Sequence, residues 1–365
     1  MQAVRCDDFG ESTVVDVPRP EPGDDEVLIE VARVQLSVTE CQIYRGHEIG
    51  GHAAVKEAMD SGDGLVFGHE FCGTVVEAGP SVDGLSVGDR VYAPAKIACD
   101  SCAYCEAGYR QLCADKETIG MGRPGALAEY VALPAEPLAP LPDAVSDAEG
   151  AAMQPLASAI MCVEDAGIST GDEVAVVGCG VMGYQCGQLA LEEGASRVVA
   201  VDVDPAKLDH AADRGMEPVD ARETDPVAAV ESATGGVGAD VVFEAVGGEQ
   251  RHATAGDEPL AQSFSMVRPG GTVGQVGIVV DELTLDPRTL RKKSVTWVNP
   301  RFGAWQLGPN AHTGTLAPRL VADGRVTIEE FLTHELDGLG SFEEAVEVTA
   351  DKPAHGALGP AQILV

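Results

Sequence analysis

The sequence predicts an α/β protein with two domains, one rich in short β-strands and one built on a doubly wound parallel sheet. Its 365 residues are enough for two domains with separate cores. The first 150 residues carry short β-branched runs that are broken by glycine and proline. After Gly171, apolar strands alternate with helical segments, which is typical of a parallel sheet with crossover helices.

The strands of the first region are short and lie between turn residues. The pattern predicts strands at residues 27–33, 73–78, 90–93 and 128–133. A proline-rich segment at 134–142 ends this region, and residues 147–167 have a helical pattern. The chain therefore begins with a β-rich unit that leads into a helix.

The second region has the order of a nucleotide-binding α/β domain. A helix is predicted at 183–193, and strands are predicted at residues 173–177, 197–203, 239–246 and 271–279. The tail from Asn299 returns to mixed structure, with a helix predicted at 342–349. We therefore expect a domain of residues 157–297 inserted within a second domain that is formed by residues 1–156 and 298–365.

The charge of the chain argues against nucleic acid as a partner. Lys and Arg number 24 against 59 Asp and Glu, which gives a net charge of −35, whereas nucleic-acid phosphates require clustered cations. No apolar run reaches the length of a transmembrane helix. We expect a cytoplasmic protein that binds neither nucleic acid nor membrane.

The carboxylate-rich composition resembles that of proteins from halophiles that accumulate salt. In molar salt the Debye length falls to about 3 Å, so the repulsion among the carboxylates is screened. An ordinary acidic protein is the alternative. The net charge therefore indicates the salt conditions that suit the protein and says nothing about the reaction.

Four cysteines share one short loop, with two spacers of two residues and one of seven. Thiolates at this spacing can close a tetrahedron around Zn²⁺. A disulfide framework is the alternative, but we expect no secretory segment before the cluster. Because four thiolates leave no open coordination position, we predict a structural zinc site formed by Cys99, Cys102, Cys105 and Cys113.

A glycine-rich turn follows directly on the apolar run EVAVV and opens a helical segment. In this context the G-x-G-x-x-G pattern indicates dinucleotide binding. The first glycine allows the tight turn, the second lets the backbone approach a pyrophosphate, and the third packs the helix on the strand. The helix N-terminus then faces the phosphates. The predicted cofactor-binding residues of this turn are Gly178, Gly180, Val181, Met182 and Gly183.

Asp202 ends the next predicted strand, 19 residues after Gly183. A carboxylate at this position accepts hydrogen bonds from the ribose hydroxyls of NAD and repels the 2′-phosphate of NADP. We therefore expect NAD as the cofactor. The alternative is that Asp202 is a turn residue, since Asp204-Pro205 follows.

Further motifs carry a resemblance to a known family. Gly68-His69-Glu70 is followed by FCGTVVEAG, and Gln154-Pro155-Leu156 precedes the glycine turn. With the four-cysteine loop, these motifs make the chain similar to the zinc-containing medium-chain alcohol dehydrogenases, within the medium-chain dehydrogenase/reductase superfamily, on its sorbitol and threonine dehydrogenase branch. The resemblance implies a GroES-like β-rich catalytic domain, a Rossmann domain, and a homodimer or homotetramer.

The resemblance also implies a catalytic zinc site, whose ligand positions are altered in this chain. His69 and Glu70 keep the family pattern, and Thr39 matches its hydroxyl position, so Thr39 and Glu70 are the expected catalytic residues. Ser37 occupies the position of the zinc thiolate. Gln154 replaces a glutamate of the family motif and is a possible neutral oxygen ligand.

Three interpretations of this metal site remain open. In the first, Cys41 supplies the thiolate, because it lies one helical turn after Ser37 on the same face. In the second, zinc is held by His69, Glu70 and Gln154 or water, with Ser37 nearby. In the third, the site has lost its metal, as in the zinc-free reductases of the superfamily.

The function that the resemblance implies is reversible oxidation of a small secondary alcohol, polyol or sugar to a ketone, with hydride transfer to NAD. Zinc would polarise the alcohol oxygen, and the proton would leave through the Thr39 hydroxyl and then the cofactor ribose. Gln42 stands where the family often has a proton-relay histidine, and because it cannot titrate it is not the final base. The expected cofactors are NAD, one structural zinc and one catalytic zinc. Two alternatives are a zinc-free NAD(P)H reductase of activated double bonds or quinones, and a non-catalytic dinucleotide-binding protein.

Overall fold

The computed structural model describes the chain except residues 61, 63, 94–95, 249, 251–257, 281, 302, 304–305 and 309–310. The chain divides into two compact units. The first comprises Met1–Ala157, Gly303–Gly324 and Ile328–Val365, and the second comprises Ser158–Phe302 with Arg325–Thr327. Within the described residues, no helix combines the length and the apolar character that crossing a bilayer requires.

The first unit begins with short strands and short helices. Its strands are β1 (Gln2–Asp8), β2 (Glu11–Asp16), β3 (Glu26–Gln35), β4 (Glu70–Ala78), β5 (Arg90–Tyr92), β6 (Lys96–Ile97), β7 (Glu117–Thr118), β8 (Tyr130–Pro134) and β9 (Ala139–Pro140). Its helices are α1 (Val38–Tyr44), α2 (His52–Asp60), α3 (Ala103–Glu106) and α4 (Asp147–Ala151). The helix α5 (Met153–Ala166) spans the boundary between the two units.

The second unit alternates strands and helices along the chain. Its strands are β10 (Glu173–Val177), β11 (Arg197–Asp202), β12 (Glu217–Asp220), β13 (Ala239–Glu244), β14 (Val267–Gln275) and β15 (Thr296–Val298). Its helices are α6 (Val181–Glu192), α7 (Pro205–Asp213), α8 (Pro226–Ala233), α9 (Pro259–Met266) and α10 (Pro287–Lys293).

The chain then returns to the first unit. The returning elements are β16 (Gln306–Gly308), β17 (Ala311–His312), α11 (Thr313–Ala322), β18 (Glu335–Asp337), α12 (Phe342–Ala350), α13 (Lys352–His355) and β19 (Gln362–Leu364). The predicted strands of both regions and the predicted helix at 342–349 are therefore confirmed, with ends that move by a few residues. The predicted helix at 147–167 is divided into α4 and α5.

The main sheet of the first unit has seven strands in the order β18-β19-β3-β4-β5-β9, and β8 also pairs with β3. Its central strand, β3, buries Val27, Leu28 and Ile29 completely, as expected for a β-branched run covered on both faces. The antiparallel register of β3 with β4 sets Gln35 opposite Glu70. The register of β19 with β3 sets Gln362 opposite Gln35. Three polar residues thus lie side by side across three strands.

The second unit is a six-stranded sheet in the order β12-β11-β10-β13-β14-β15, and every neighbouring pair is parallel. Counted from β10, this is the order 3-2-1-4-5-6 of the Rossmann fold, which confirms the predicted fold class. The order reverses between β10 and β13, and dinucleotides bind in the crevice at such a reversal.

The helices of the second unit often begin with the same local signal. At α7, α8 and α10 an aspartate caps the helix, accepts a backbone N–H bond, and is followed by proline at the first helical position; the caps are Asp204, Asp225 and Asp286. These caps satisfy helix N–H groups that have no intrahelical partner, and the proline φ is already helical. The apolar side chains of β10 and β13, such as Ala175 and Val242, form the buried core.

Candidate functional site

The four predicted cysteines of the metal loop come together in space. The sulfur atoms of Cys102 and Cys105 are 3.5 Å apart, and those of Cys99 and Cys113 are 3.4 Å apart. All four sulfurs lie within 4.8 Å of one another. A disulfide has an S–S distance of about 2.05 Å, so none of these pairs is bonded.

These sulfur positions fit a zinc ion. Zn–S bonds of about 2.3 Å place the four sulfurs of a tetrahedron about 3.8 Å apart. Backbone N–H groups of Cys105 and Ala114 hydrogen-bond to the Cys102 sulfur and lower its pKa to about 6. Burial and the neighbouring sulfurs raise the pKa of Cys105 to about 12, so the four thiols do not ionise alike before a metal ion binds. The antiparallel pair β6–β7 closes the base of the loop. Four sulfur ligands complete the tetrahedral coordination of a zinc ion without a water molecule, which is typical of a structural site.

In the glycine turn after β10, sterics require glycine at two of the three motif positions. Gly178 has a φ of +92°, and a Cβ there would lie 2.8 Å from the backbone nitrogen of Val246. A Cβ at Gly183 would lie 1.8 Å from the Gly178 carbonyl oxygen. At Gly180, which caps α6, a Cβ would meet no atom within 4 Å. The first and third glycines are therefore required by the fold, and the second leaves open space at the helix N-terminus. The predicted turn residues Val181 and Met182 form the first turn of α6.

Asp202 lies at the end of β11 and is largely buried. Its Oδ2 accepts a hydrogen bond of 2.6 Å from the backbone N–H of Cys179, inside the glycine turn. Its Oδ1 accepts bonds from the N–H groups of Val203 and Asp204. The carboxylate therefore ties the glycine turn to the end of β11, and the turn role considered for Asp202 is present in the structure. Oδ1 uses both lone pairs in these bonds, whereas Oδ2 has one further lone pair for a ribose hydroxyl.

A buried carboxylate that sequence reasoning missed ends β13. Glu244 is fully buried, and its Oε1 accepts hydrogen bonds from the N–H groups of Val246 and Gly247. Burial raises the pKa of Glu244. Its backbone carbonyl oxygen accepts from Val276 and Gly277 in the loop after β14. The available signal was an acid that ends an apolar run and precedes two glycines.

The metal-binding motif of the first unit is built around a buried histidine–carboxylate pair. Glu40 lies on α1, and its Oε1 is 2.7 Å from Nδ1 of His69 and accepts the backbone N–H of Gly68 at 2.9 Å. Both side chains are less than a tenth exposed. Burial is the largest influence and lowers the pKa of His69, but the carboxylates of Glu40 and Glu70 together outweigh it, so the net pKa is raised. Glu40 thereby fixes the ring and directs Nε2 away from itself.

Glu70 follows His69 at the start of β4. Its Oε1 is 3.8 Å from His69 Nε2, and its Oε2 accepts a hydrogen bond of 2.5 Å from the Gln35 amide. Burial raises the pKa of Glu70 to about 7, while His69 and the Gln35 hydrogen bond act in the opposite direction. The structure therefore brings the two residues that keep the family pattern together.

Ser37, at the position of the family thiolate, is used as a helix cap. Its hydroxyl oxygen accepts a hydrogen bond of 3.0 Å from the backbone N–H of Glu40 at the start of α1. This is a common role of serine before a helix. Thr39 lies in the first turn of the same helix and is half-buried. Gln154 lies in the first turn of α5 and is also half-buried.

Cys41 does not join His69 and Glu70. It lies on α1 with its side chain 1% exposed, among the apolar residues of the first unit's core. Burial is the main reason that its pKa is raised, and its sulfur has a hydrogen bond with Thr349 of α12. Apart from the four-cysteine loop, no set of three or more His, Cys, Asp or Glu groups in the described chain converges within 4.8 Å. The expectation that Cys41 supplies a zinc thiolate therefore lacks structural support.

His69 and Glu70 fit two positions of a catalytic zinc shell. Imidazole nitrogen and carboxylate oxygen are zinc ligands, and tetrahedral bonds of about 2.0 to 2.1 Å place such atoms about 3.4 Å apart. The observed 3.8 Å between Nε2 and Oε1 is close to this value. The carboxylate bound to Nδ1 is the usual outer partner of a zinc-binding histidine. Two protein ligands would leave further coordination positions of a zinc ion for other groups.

Comparison with known families matches both regions of the chain. Residues 23–143 match the alcohol dehydrogenase GroES-like domain, and residues 181–313 match the zinc-binding dehydrogenase domain. The probable D-xylulose reductase A of Neosartorya fischeri is 32% identical over 92% of this chain and 90% of its own length. The L-threonine 3-dehydrogenase of Pyrococcus horikoshii is 29% identical, with the same coverage of 92% and 90%.

Solved structures resemble the whole chain. The alcohol dehydrogenase of Thermus sp. ATN1 is 28% identical with a TM-score of 0.80, and each chain is covered completely. A zinc-binding dehydrogenase of Sinorhizobium meliloti, solved bound to NADP, is 27% identical with a TM-score of 0.84 and covers 100% of this chain and 99% of its own.

The chain belongs to the zinc-containing medium-chain alcohol dehydrogenase family. It is an enzyme of the alcohol and polyol dehydrogenase class, with a GroES-like region and a Rossmann region. The predicted family and fold are confirmed.

Proposed function

We propose that this enzyme oxidises a secondary alcohol, polyol or sugar to the ketone, reversibly, with NAD as hydride acceptor and with a zinc ion at His69 and Glu70. The observation that carries this is the buried Glu40–His69 pair, with Nε2 of His69 directed to within 3.8 Å of Glu70 Oε1. This arrangement places an imidazole nitrogen beside a carboxylate oxygen, as two neighbouring ligands of one metal ion would be placed.

The second unit would hold the dinucleotide through the glycine turn. The open space at Gly180 and the N–H groups at the start of α6 suit a pyrophosphate. The carboxylate of Asp202, at the end of β11, suits ribose hydroxyls and opposes a 2′-phosphate, which supports NAD over NADP. The bound cofactor supplies the hydride acceptor.

In the first unit, His69 and Glu70 would hold the zinc ion, and Glu40 keeps the His69 ring oriented. A bound zinc ion supplies Lewis-acid polarisation of an alcohol oxygen. We assign the half-buried hydroxyl of Thr39 to pass on the alcohol proton: it would take that proton while its own proton leaves toward a ribose hydroxyl of the bound cofactor. Gln42 on the same helix has no titratable group and would not be the final acceptor. The Ser37 hydroxyl keeps its hydrogen bond as the cap of α1, so it could offer the zinc ion at most a neutral oxygen.

The names of the relatives support a small polar substrate. They are a D-xylulose reductase, a threonine 3-dehydrogenase and an L-galactonate-5-dehydrogenase. We therefore propose a polyol, sugar or hydroxy acid as substrate, over a simple primary alcohol. We also propose a homodimer or homotetramer located in the cytoplasm, which size-exclusion chromatography and cell fractionation test.

One observation favours a second candidate. Ser37 replaces the family thiolate, and its hydroxyl is engaged as a helix cap. A site without thiolate holds zinc less strongly. The alternative is a zinc-free NAD(P)H reductase of activated double bonds or quinones on the same fold.

Metal analysis of the purified protein, together with a substrate panel, separates the two candidates. The alcohol dehydrogenase should contain two zinc ions per chain and form NADH from polyols or hydroxy acids. His69→Ala should lose one zinc and most activity, whereas His47→Ala, at an exposed histidine, should lose neither. One zinc per chain, with NAD(P)H-dependent reduction of activated double bonds, would establish the reductase instead.

A further inference from the structure

A row of buried polar side chains leads from the metal-binding motif to the surface of the first unit. Glu70 on β4, Gln35 on β3 and Gln362 on β19 are direct cross-strand neighbours. The two glutamine residues are each 1% exposed. The row ends at Arg33, whose side chain is 13% exposed and forms an ion pair with Glu335.

Each member of the row is hydrogen-bonded to the next. The Gln35 amide nitrogen donates to Glu70 Oε2 at 2.5 Å, and the Gln362 amide nitrogen donates to Gln35 Oε1 at 3.2 Å. Gln362 also donates to the backbone oxygen of Ala148 at 2.8 Å. Arg33 donates to Gln362 Oε1 at 3.2 Å. All four side chains are therefore linked in one chain of hydrogen bonds.

The direction of this chain is fixed at its outer end. A guanidinium group has five donors and no acceptor, so the end of Gln362 that faces Arg33 must be its carbonyl oxygen. The Gln362 amide nitrogen then faces Gln35, which turns the oxygen of Gln35 outward and its nitrogen toward Glu70. Reversing either amide would place two oxygens face to face on one side of it and two N–H donors face to face on the other. Such unpaired buried polar groups are strongly unfavourable.

As a consequence, the two carboxylate oxygens of Glu70 have different partners. Oε2 receives the Gln35 donor, while Oε1 is the oxygen that lies 3.8 Å from His69 Nε2. A second carboxylate orientation, with both oxygens toward His69, would break the bond to Gln35. The row thus determines which oxygen of Glu70 is available beside the imidazole.

We propose that Arg33, Gln362 and Gln35 form a directional relay that positions Glu70, so that it offers Oε1 alone to a metal ion bound at His69. These are positioning residues, because none of them faces His69 directly. The relay rests on the proposed function only in that a metal ion binds at His69 and Glu70. Outer hydrogen-bond partners of metal ligands commonly affect metal affinity by 10- to 100-fold.

The relay is tested by the release of the second zinc ion from the full-length enzyme into a chelator. Gln362→Met removes both ends of the amide at similar volume, and Arg33→Met removes the fixed donor. Both variants should release the second zinc about tenfold faster than wild type, with a lower kcat and a nearly unchanged KM for NAD. Arg33→Lys, which keeps a group that only donates, should restore slow release.

Glu335→Gln is the matched control, because it removes the ion pair of Arg33 and leaves the relay intact. It should behave as wild type, and the zinc of the four-cysteine loop should be retained in every variant. Wild-type release rates in both Gln362→Met and Arg33→Met would overturn the relay while leaving the proposed metal site standing. A wild-type enzyme with one zinc per chain would overturn the metal site, and the relay's role with it.

Discussion

A methyl group added at Gly180 should weaken cofactor binding without affecting the stability of the fold. Gly180 has a φ of −70°, which any residue adopts, and a Cβ there meets no atom within 4 Å. Gly→Ala at a compatible position stabilises by about 0.4 to 1 kcal/mol, and alanine is a poorer helix cap than glycine by a similar amount. The two effects nearly cancel, so the melting temperature of Gly180→Ala should change by no more than ~3 °C. The methyl group would occupy the space where a pyrophosphate approaches the backbone.

The matched variant is Gly183→Ala in the same turn. Its Cβ would lie 1.8 Å from the Gly178 carbonyl oxygen, so the turn must open by more than 1 Å. Overpacking of this kind costs ~3 kcal/mol, which corresponds to a fall of ~10 °C in the melting temperature of a unit of about 150 residues, the size of the second unit. Thermal melting and titration of NADH fluorescence measure both variants. We expect Gly180→Ala to bind NADH at least tenfold more weakly, a loss of about 1.4 kcal/mol, without a loss of stability. Unchanged NADH affinity in Gly180→Ala would refute the placement of the pyrophosphate at this turn.

The remaining predictions concern cofactor choice, the metal loop, pH and salt. Asp202→Ser should weaken NAD and improve NADP in steady-state kinetics, because it removes the carboxylate at the end of β11; a wild-type preference for NADP would contradict this. Cys105→Ser should lose one zinc per chain and become less stable to heat and to proteolysis within the loop. Activity measured before the variant unfolds should persist. A variant that is stable but does not catalyse hydride transfer would exclude a structural role. Burial raises the pKa of Glu244 above its ordinary value of 4.5. The folded state therefore holds the proton on Glu244 more tightly than the unfolded state. The free energy of unfolding should fall as pH rises from about 4.5 toward the pKa of the folded state. Glu244→Gln should flatten that part of the pH–stability curve, and an identical slope in both proteins would show that Glu244 does not titrate there. Melting temperature should rise from dilute buffer to molar KCl, because salt screens the net charge of −35; equal values would show that repulsion is not limiting.

Local patterns explain why much of the molecule could be predicted from sequence. The four cysteines lie within 15 residues, and the glycine turn joins one strand to the next helix, so short-range geometry determines both sites. The steric demands at Gly178 and Gly183 are those that the motif implies. The parallel pairing of the strands in the second unit follows from its alternating strands and helices.

Contacts that depend on strand register and helix packing could not be predicted in the same way. Cys41 lies one turn after Ser37, but the packing of α1 places its sulfur in the core beside Thr349. The hydrogen bond between Gln35 and Gln362 requires the register of two strands that are far apart in sequence. Nothing in the spacing of Glu40 and His69 along the chain indicated that the Glu40 carboxylate would lie 2.7 Å from Nδ1 of His69.

The position of β19 beside β3 has a consequence for synthesis of the chain. Gln35 and Gln362 are separated by 327 positions, so at translation rates of about 5 to 20 residues per second they emerge roughly 15 to 65 s apart. Before then the final residues of β3, Arg33 to Gln35, lack their β19 neighbours. An unpaired strand edge is a template for association between nascent chains. The acidic composition of this chain opposes such association, so its charge protects the unfinished sheet as well as the folded enzyme.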